Sequence, residues 1–177
     1  PRPTRKLFHD RASPALAQRG PSQVAVLFLD PDHFQTVNDS FGHASGDQVL
    51  VAAARRLQSC ARVGDTAARV GGDEFALLVE GLTAEQLTAL ADRVIAALST
   101  TPVEFSGRTL TIGASVGIAV AGPGETTETL LRHAALALYE AKVQGGSRRR
   151  PSEPTSHPTP VRRFRPRAAR PPPPAPR

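Results

Sequence analysis

The run Val24-Ala25-Val26-Leu27-Phe28-Leu29 has no polar residue and stops at Asp30-Pro31. Successive residues of a strand point to opposite faces, so a run that is apolar throughout predicts a strand covered on both sides. Pro31 holds Asp30 extended and offers no N–H to a neighbouring strand, which ends the ladder there. Asp30 then sits at the C-terminal edge of a central strand, where α/β sheets gather ligands; a single Asp at that place is equally a common helix cap.

A second stretch carries more chemistry. Arg69-Val70-Gly71-Gly72-Asp73-Glu74-Phe75-Ala76-Leu77-Leu78-Val79 sets apolar residues on both sides of a Gly-Gly pair followed by two carboxylates. It predicts two short strands joined by a tight turn, with positive φ at Gly71 and Gly72 easing the bend. The same glycines leave the turn bare, so that a phosphate can approach the backbone, while Asp73 and Glu74 supply the charge to hold a divalent cation against it. In isolation the pattern also describes an ordinary hairpin with a solvated acidic tip.

The rest of the chain fills in helices and strands around these two pieces. Residues 5–11 begin a helix that fades before Pro21, and His33 to Asp39 predicts a short helix stopped by Gly42. A further helix from about Ser45 places Val49, Leu50, Ala53, Ala54 and Leu57 on one face. Asn38 and Asp47 flank the Gly42-His43 bend between these helices; an amide and a carboxylate across a turn suit a purine edge, though Asn and Asp at helix ends are also caps. Thr83 to Leu98 is amphipathic, with Leu87, Leu90, Ala91, Val94, Ile95 and Leu98 inward. Thr109 to Ile112 and Ser115 to Val120 read as strands, and Glu128 to Gln144 as a last helix ending at Gly145-Gly146. The fold class is α/β: a sandwich with a mixed central sheet flanked by helices.

Charge divides the chain of 177 residues in two. From Ser147 onward nine arginines face Glu153 alone, a net of +8, so with the whole chain at +6 the preceding residues sum to −2. The basicity therefore belongs to a Pro/Arg-rich tail, 147–177, which lacks the apolar residues of a core and is expected to be disordered. With Phe164 as its one aromatic it makes no case for a specific nucleic-acid partner. Cys60 is the only cysteine, which excludes an internal disulfide and a Cys-based zinc cluster and fits a reducing, cytoplasmic setting. No apolar run approaches membrane-spanning length. The first residue is Pro, as in a piece of a longer protein.

Leu29-Asp30-Pro31-Asp32-His33-Phe34, Val37-Asn38-Asp39, Phe41-Gly42-His43, Gly46-Asp47, the G-G-D-E-F run at 71–75, Ser115-Val116-Gly117 and Ala137-Leu138-Tyr139-Glu140-Ala141-Lys142 together resemble the GGDEF family of diguanylate cyclases. The resemblance runs from about Pro3 to Arg148, and residues 1–146 are taken as one nucleotidyl-cyclase-like domain. It implies condensation of two GTP into cyclic di-GMP. Asp30, the carbonyl of Pro31 and Asp73 would hold Mg (or Mn), with Asp73 also the proton acceptor and Glu74 supporting a second metal or the transition state. Asn38, His43 and Asp47 would contact the nucleotide, Gly71 and Gly72 would admit its phosphates, and Lys142 would meet the triphosphate. Arg62 and Asp65, in an R-x-x-D arrangement before the hairpin, and Arg93 on the following helix would form an inhibitory site for the product. One GTP per domain makes a homodimer part of the reaction, and the family's usual upstream sensor domain, with room for a downstream one, completes the expected partners.

Departures from the family pattern are equally plain. Gln35 and Gly146 stand where the family has Lys and Arg, removing two of three cations expected at the triphosphate; Pro31 replaces an aliphatic residue and Ala135 an Asp. The family's D-x-L-T-G-L segment is absent, because the chain starts just after it. Two functions of different class follow: an active diguanylate cyclase, favoured by the intact Asp30, Asp73 and Glu74, and a non-catalytic receptor for cyclic di-GMP or GTP that regulates a neighbouring domain.

Overall fold

A computed structural model of the chain describes residues 4–18, 23–105, 108–143 and 149–151. Its elements are α1 (Arg5–Ala17), β1 (Val24–Pro31), α2 (Phe34–Phe41), α3 (His43–Cys60), β2 (Thr66–Arg69), β3 (Phe75–Glu80), α4 (Ala84–Ser99), β4 (Val103–Phe105), β5 (Arg108–Leu110), β6 (Ala114–Val120), α5 (Thr127–Val143) and β7 (Arg149–Pro151). Five strands form one sheet in the order β2-β3-β1-β6-β7, with β1 at its centre. β1 runs antiparallel to β3 and β6, β2 antiparallel to β3, and β7 parallel to β6, so the sheet is mixed as expected. β4 and β5 make a separate two-stranded sheet.

The alternation of β1 divides the interior. Ala25, Leu27 and Leu29 pack with Leu50, Ala53 and Leu57 of α3 and with Leu87, Leu90, Val94 and Ile95 of α4. Val24, Val26 and Phe28 turn the other way, against Phe8 and Ala12 of α1 and Leu130, Leu131, Ala134 and Leu138 of α5. Both faces are thereby covered by two helices each, and six of the eight β1 residues, from Val24 to Leu29, are buried in unbroken succession. A smaller cluster of Val37, Val49, Val103 and Ile112 seats the β4–β5 hairpin on α2 and α3.

Several boundaries differ from the sequence expectation, each for a local reason. Gly42, with φ 81°, ends α2 and caps α3, so α3 begins at His43 rather than Ser45. Thr109 to Ile112 was expected as one strand; β5 stops at Leu110 and pairs with Val103–Phe105, a strand too short to show a period in the sequence. α4 follows its pattern closely because Thr83 and Gln86 form a reciprocal capping box. The segment from Ser147 lies outside the described residues except for β7.

Candidate functional site

β1 carries Asp30 out of the core at the rim where the β2–β3 turn and the last turn of α5 also arrive. Lys142 of α5 makes an ion pair with Asp30 Oδ2. Burial is the main influence on this carboxyl and raises its pKa from 3.8 to about 6; Lys142 pulls it down, while Asp73 and Asp32 push it further up. A carboxyl whose pKa is higher in the folded chain supports folding below its unfolded value and withdraws that support as pH rises through about 6. Asp30 Oδ1 is buried and has no hydrogen-bond partner among the described residues. An ionised, desolvated oxygen of this kind is unfavourable unless a cation meets it.

The backbone beside it points the same way. Asp32 N–H donates to the Gly113 carbonyl at 2.7 Å, on the β6 side of β1. In a trans peptide the preceding C=O lies opposite that N–H, so the Pro31 carbonyl faces the β3 side. The β1–β3 pairing ends at Leu29↔Phe75, and two steps further along the same register would set Pro31 across from Asp73. No group of three or more His, Cys, Asp or Glu side chains suited to a metal occurs among the described residues. The donor set that fits a hard divalent cation is instead two carboxylates, Asp30 and Asp73, and one carbonyl.

The turn between β2 and β3 is not the positive-φ hairpin expected from the glycine pair: neither Gly71 nor Gly72 has a left-handed φ. Val70 N–H and Gly71 N–H both donate to the Glu74 carbonyl, at 2.9 and 3.3 Å, so five residues close the loop and the bend is shared among them. Space is limited at Gly71 and open at Gly72. A Cβ at Gly71 would lie 2.2 Å from Glu74 Oε2, whose side chain folds over the backbone there, while a Cβ at Gly72 would meet nothing within 4 Å. Arg69 pins the turn from below, donating from Nε to the Gly72 carbonyl at 2.9 Å and again from Nη2.

Asn38, His43 and Asp47 gather at the α2–α3 corner. His43 and Asp47 are exposed and one helical turn apart. Asn38 packs flat on the α3 backbone: a Cβ at Gly46 would lie 1.9 Å from Asn38 Oδ1 and 3.1 Å from Phe34 Cζ. Asp47 also lines a cleft of about 500 Å³ that runs between α3 and β2 to Arg69 and Phe75. The cleft thus runs from Asp47 at the corner to Arg69 and Phe75, the residues on either side of the acidic turn.

Arg62, Asp65 and Arg93 lie elsewhere, where α3 passes into β2. Arg62 Nε donates to Asp65 Oδ1 at 3.1 Å, its backbone N–H to Oδ2 at 2.9 Å, and its Nη2 to the Glu80 carbonyl. Arg93 Nη2 donates to the Cys60 carbonyl at 2.8 Å. Asp65 is nearly enclosed, and both arginines are exposed.

The family model described as diguanylate cyclase, GGDEF domain, matches residues 3–148. The chain belongs to the GGDEF family. MucR of Pseudomonas aeruginosa, a bifunctional diguanylate cyclase/cyclic di-GMP phosphodiesterase, is 41% identical to this GGDEF domain over 146 residues, 81% of this chain and 21% of MucR. The diguanylate cyclase TpbB of the same species is 42% identical over 153 residues, 83% of this chain and 35% of TpbB. The crystal structure of the TpbB GGDEF domain matches with a TM-score of 0.81 at 40% identity, over 86% of this chain and 98% of that one. The GGDEF domain of DgcB from Caulobacter crescentus, solved in complex with c-di-GMP, gives 0.79 at 30% identity, over 84% and 90%. The chain thus spans about a third or less of the curated relatives named here, and no helix among its described residues is long and apolar enough to cross a membrane.

Proposed function

We propose that this GGDEF domain supplies one half of a diguanylate cyclase that condenses two GTP into cyclic di-GMP. The observation that carries the reading is the Asp30 carboxylate, desolvated and with an unmet oxygen, at the rim shared with the acidic turn and Lys142. Asn38 and Asp47 hold the guanine edge by hydrogen bonds, with His43 beside them. Lys142 leaves Asp30 to meet the triphosphate, and the open backbone at Gly72 admits the phosphates. Mg held by Asp30, Asp73 and the Pro31 carbonyl would neutralise the triphosphate and acidify the attacking hydroxyl. In each of two steps the 3′-oxygen of one GTP forms a bond to the α-phosphorus of the other, the bond to the β-phosphate bridge breaks, and pyrophosphate leaves. Asp73 takes the hydroxyl proton and Glu74 supports the charge that develops on the phosphorus.

Two domains must face each other for this chemistry. Fusing a parallel dimeric coiled coil ahead of Pro1 should place the second half-site at an effective concentration of about a millimolar. Cyclic di-GMP formation per domain, followed by chromatography at saturating GTP and Mg, should then exceed that of the unfused chain at least tenfold. A verified dimer that binds GTP and makes no product would instead support a receptor role. One observation favours that second reading: with Gln35 and Gly146 in place of cations, Lys142, already committed to Asp30, is the one charge of the family's three that this chain retains.

Guanine recognition by Asn38 gives a role to Gly46. Gly46→Ala would displace the Asn38 amide, so the KM for GTP should rise about tenfold, the worth of one hydrogen bond of about 1.4 kcal/mol. Stability should hold or improve, because Ala favours a helix interior over Gly by about 1 kcal/mol. Steady-state kinetics with an unchanged KM would remove Asn38 from the guanine site.

The Arg62, Asp65 and Arg93 corner is proposed as the site where product inhibits. Two exposed guanidiniums can stack on guanine and pair with phosphate. Arg62→Ala should lower cyclic di-GMP affinity at least tenfold by calorimetry, and unchanged binding would leave this corner as a structural ion pair.

A further inference from the structure

Asp32 takes no part in the reaction as proposed, yet it is only 9% exposed and close enough to Asp30 to disfavour its charge. A buried carboxylate beside another destabilises a fold unless its hydrogen bonds hold something in place. The fully buried Ser115 Oγ donates to Asp32 Oδ1 at 2.8 Å, and Asp32 N–H donates to the Gly113 carbonyl. Gly113 and Ser115 flank Ala114, the residue of β6 paired with Pro31. Asp32 is thus held by its backbone and by its side chain against residues 113–115, where the chain enters β6.

The grip falls at the place where the chain is least able to hold itself. Pro31 has no N–H with which to anchor its own position. His33, next along, is the one non-glycine residue with positive φ among those described, at 61°, and the chain passes through it from β1 into α2. Between them lies the peptide whose carbonyl faces the Asp73 side.

We propose that Asp32 and Ser115 are positioning residues: their hydrogen bond, with that of Asp32 N–H to Gly113, aims the Pro31 carbonyl at the divalent cation held by Asp30 and Asp73. This rests on the metal site proposed above. Removing a group that orients a metal donor lowers metal affinity by about 10–100-fold, whereas removing a remote charge does much less.

The test is Mn²⁺ binding to the full chain, read from the electron paramagnetic resonance of free Mn²⁺ in the presence of α,β-methylene-GTP, which cannot be turned over. Asp32→Ala should weaken Mn²⁺ at least tenfold. Asp32→Asn, whose Oδ1 still accepts from Ser115, should weaken it less than threefold, and Ser115→Ala should weaken it more than Asp32→Asn does. Should Asp32→Ala fail to fold, the order of the other two variants decides. Equal losses in Asp32→Asn and Asp32→Ala would make the carboxylate itself a ligand and overturn the proposal. So would affinities unchanged in every variant, or a wild-type chain that binds no Mn²⁺. Mn²⁺ affinities in the expected order, together with a verified dimeric fusion that yields no cyclic di-GMP from GTP, would sink the cyclase reading alone.

Discussion

Asp73→Asn should reduce cyclic di-GMP formation by about 10³-fold or more, because it removes a metal donor and the proton acceptor in one change. The fold should not suffer. Asp73 is half-buried on the turn and its charge raises the pKa of Asp30, so an amide there relieves a like-charge repulsion. The melting temperature of the variant should equal or exceed that of wild type by circular dichroism at pH 7. Product chromatography then decides the role: turnover at the wild-type rate in a folded variant would take Asp73 out of both assignments.

Gly117→Ala should have the opposite profile, a loss of fold rather than of chemistry. A Cβ at this position of β6 would lie 2.1 Å from the Ala134 carbonyl oxygen and 2.3 Å from the Leu138 nitrogen, both backbone atoms of α5. No side chain can swing aside to make room, so the helix must lift from the sheet and open the layer of Leu130, Leu131, Ala134 and Leu138. Overpacking of this kind costs about 3 kcal/mol, equivalent to a fall in melting temperature on the order of 10 °C. An unshifted melt would mean that α5 is not seated on β6 as described. Because α5 also carries Lys142, a folded remnant of this variant should bind GTP more weakly than wild type.

The framework was readable wherever burial dictated residue type. Val24 to Leu29 announced a central strand by lacking polar residues, and α3, α4 and α5 announced themselves by apolar spacing, since helices covering a sheet must each bury one stripe. Where packing imposed no period, reading failed. β4 is three residues long, and its partner β5 is held on α2 and α3 by a few side chains from distant parts of the chain. The glycine pair was read for backbone freedom, whereas Gly71 answers to the Glu74 side chain, a contact that composition cannot reveal. Arg69 and Ser115 were missed as functional candidates for a similar reason: each acts by gripping a backbone or side-chain oxygen whose position only the folded sheet defines. The second carboxylate of Asp30-Pro31-Asp32 was a visible signal, and its burial supplies the reason to weigh it.

Arg62 bonds to Glu80 at the far end of β3, while Asp73 lies just before Phe75 at its beginning. Six residues of strand separate the two places, about 20 Å at the rise of an extended chain. On the proposed assignments, a dinucleotide held at the Arg62 corner and a GTP seated at the acidic turn occupy opposite ends of one hairpin and do not exclude each other by contact. Crowding the reaction with GTP would leave the dinucleotide where it is, so inhibition exerted from that corner lowers the maximal rate and cannot be outrun by substrate.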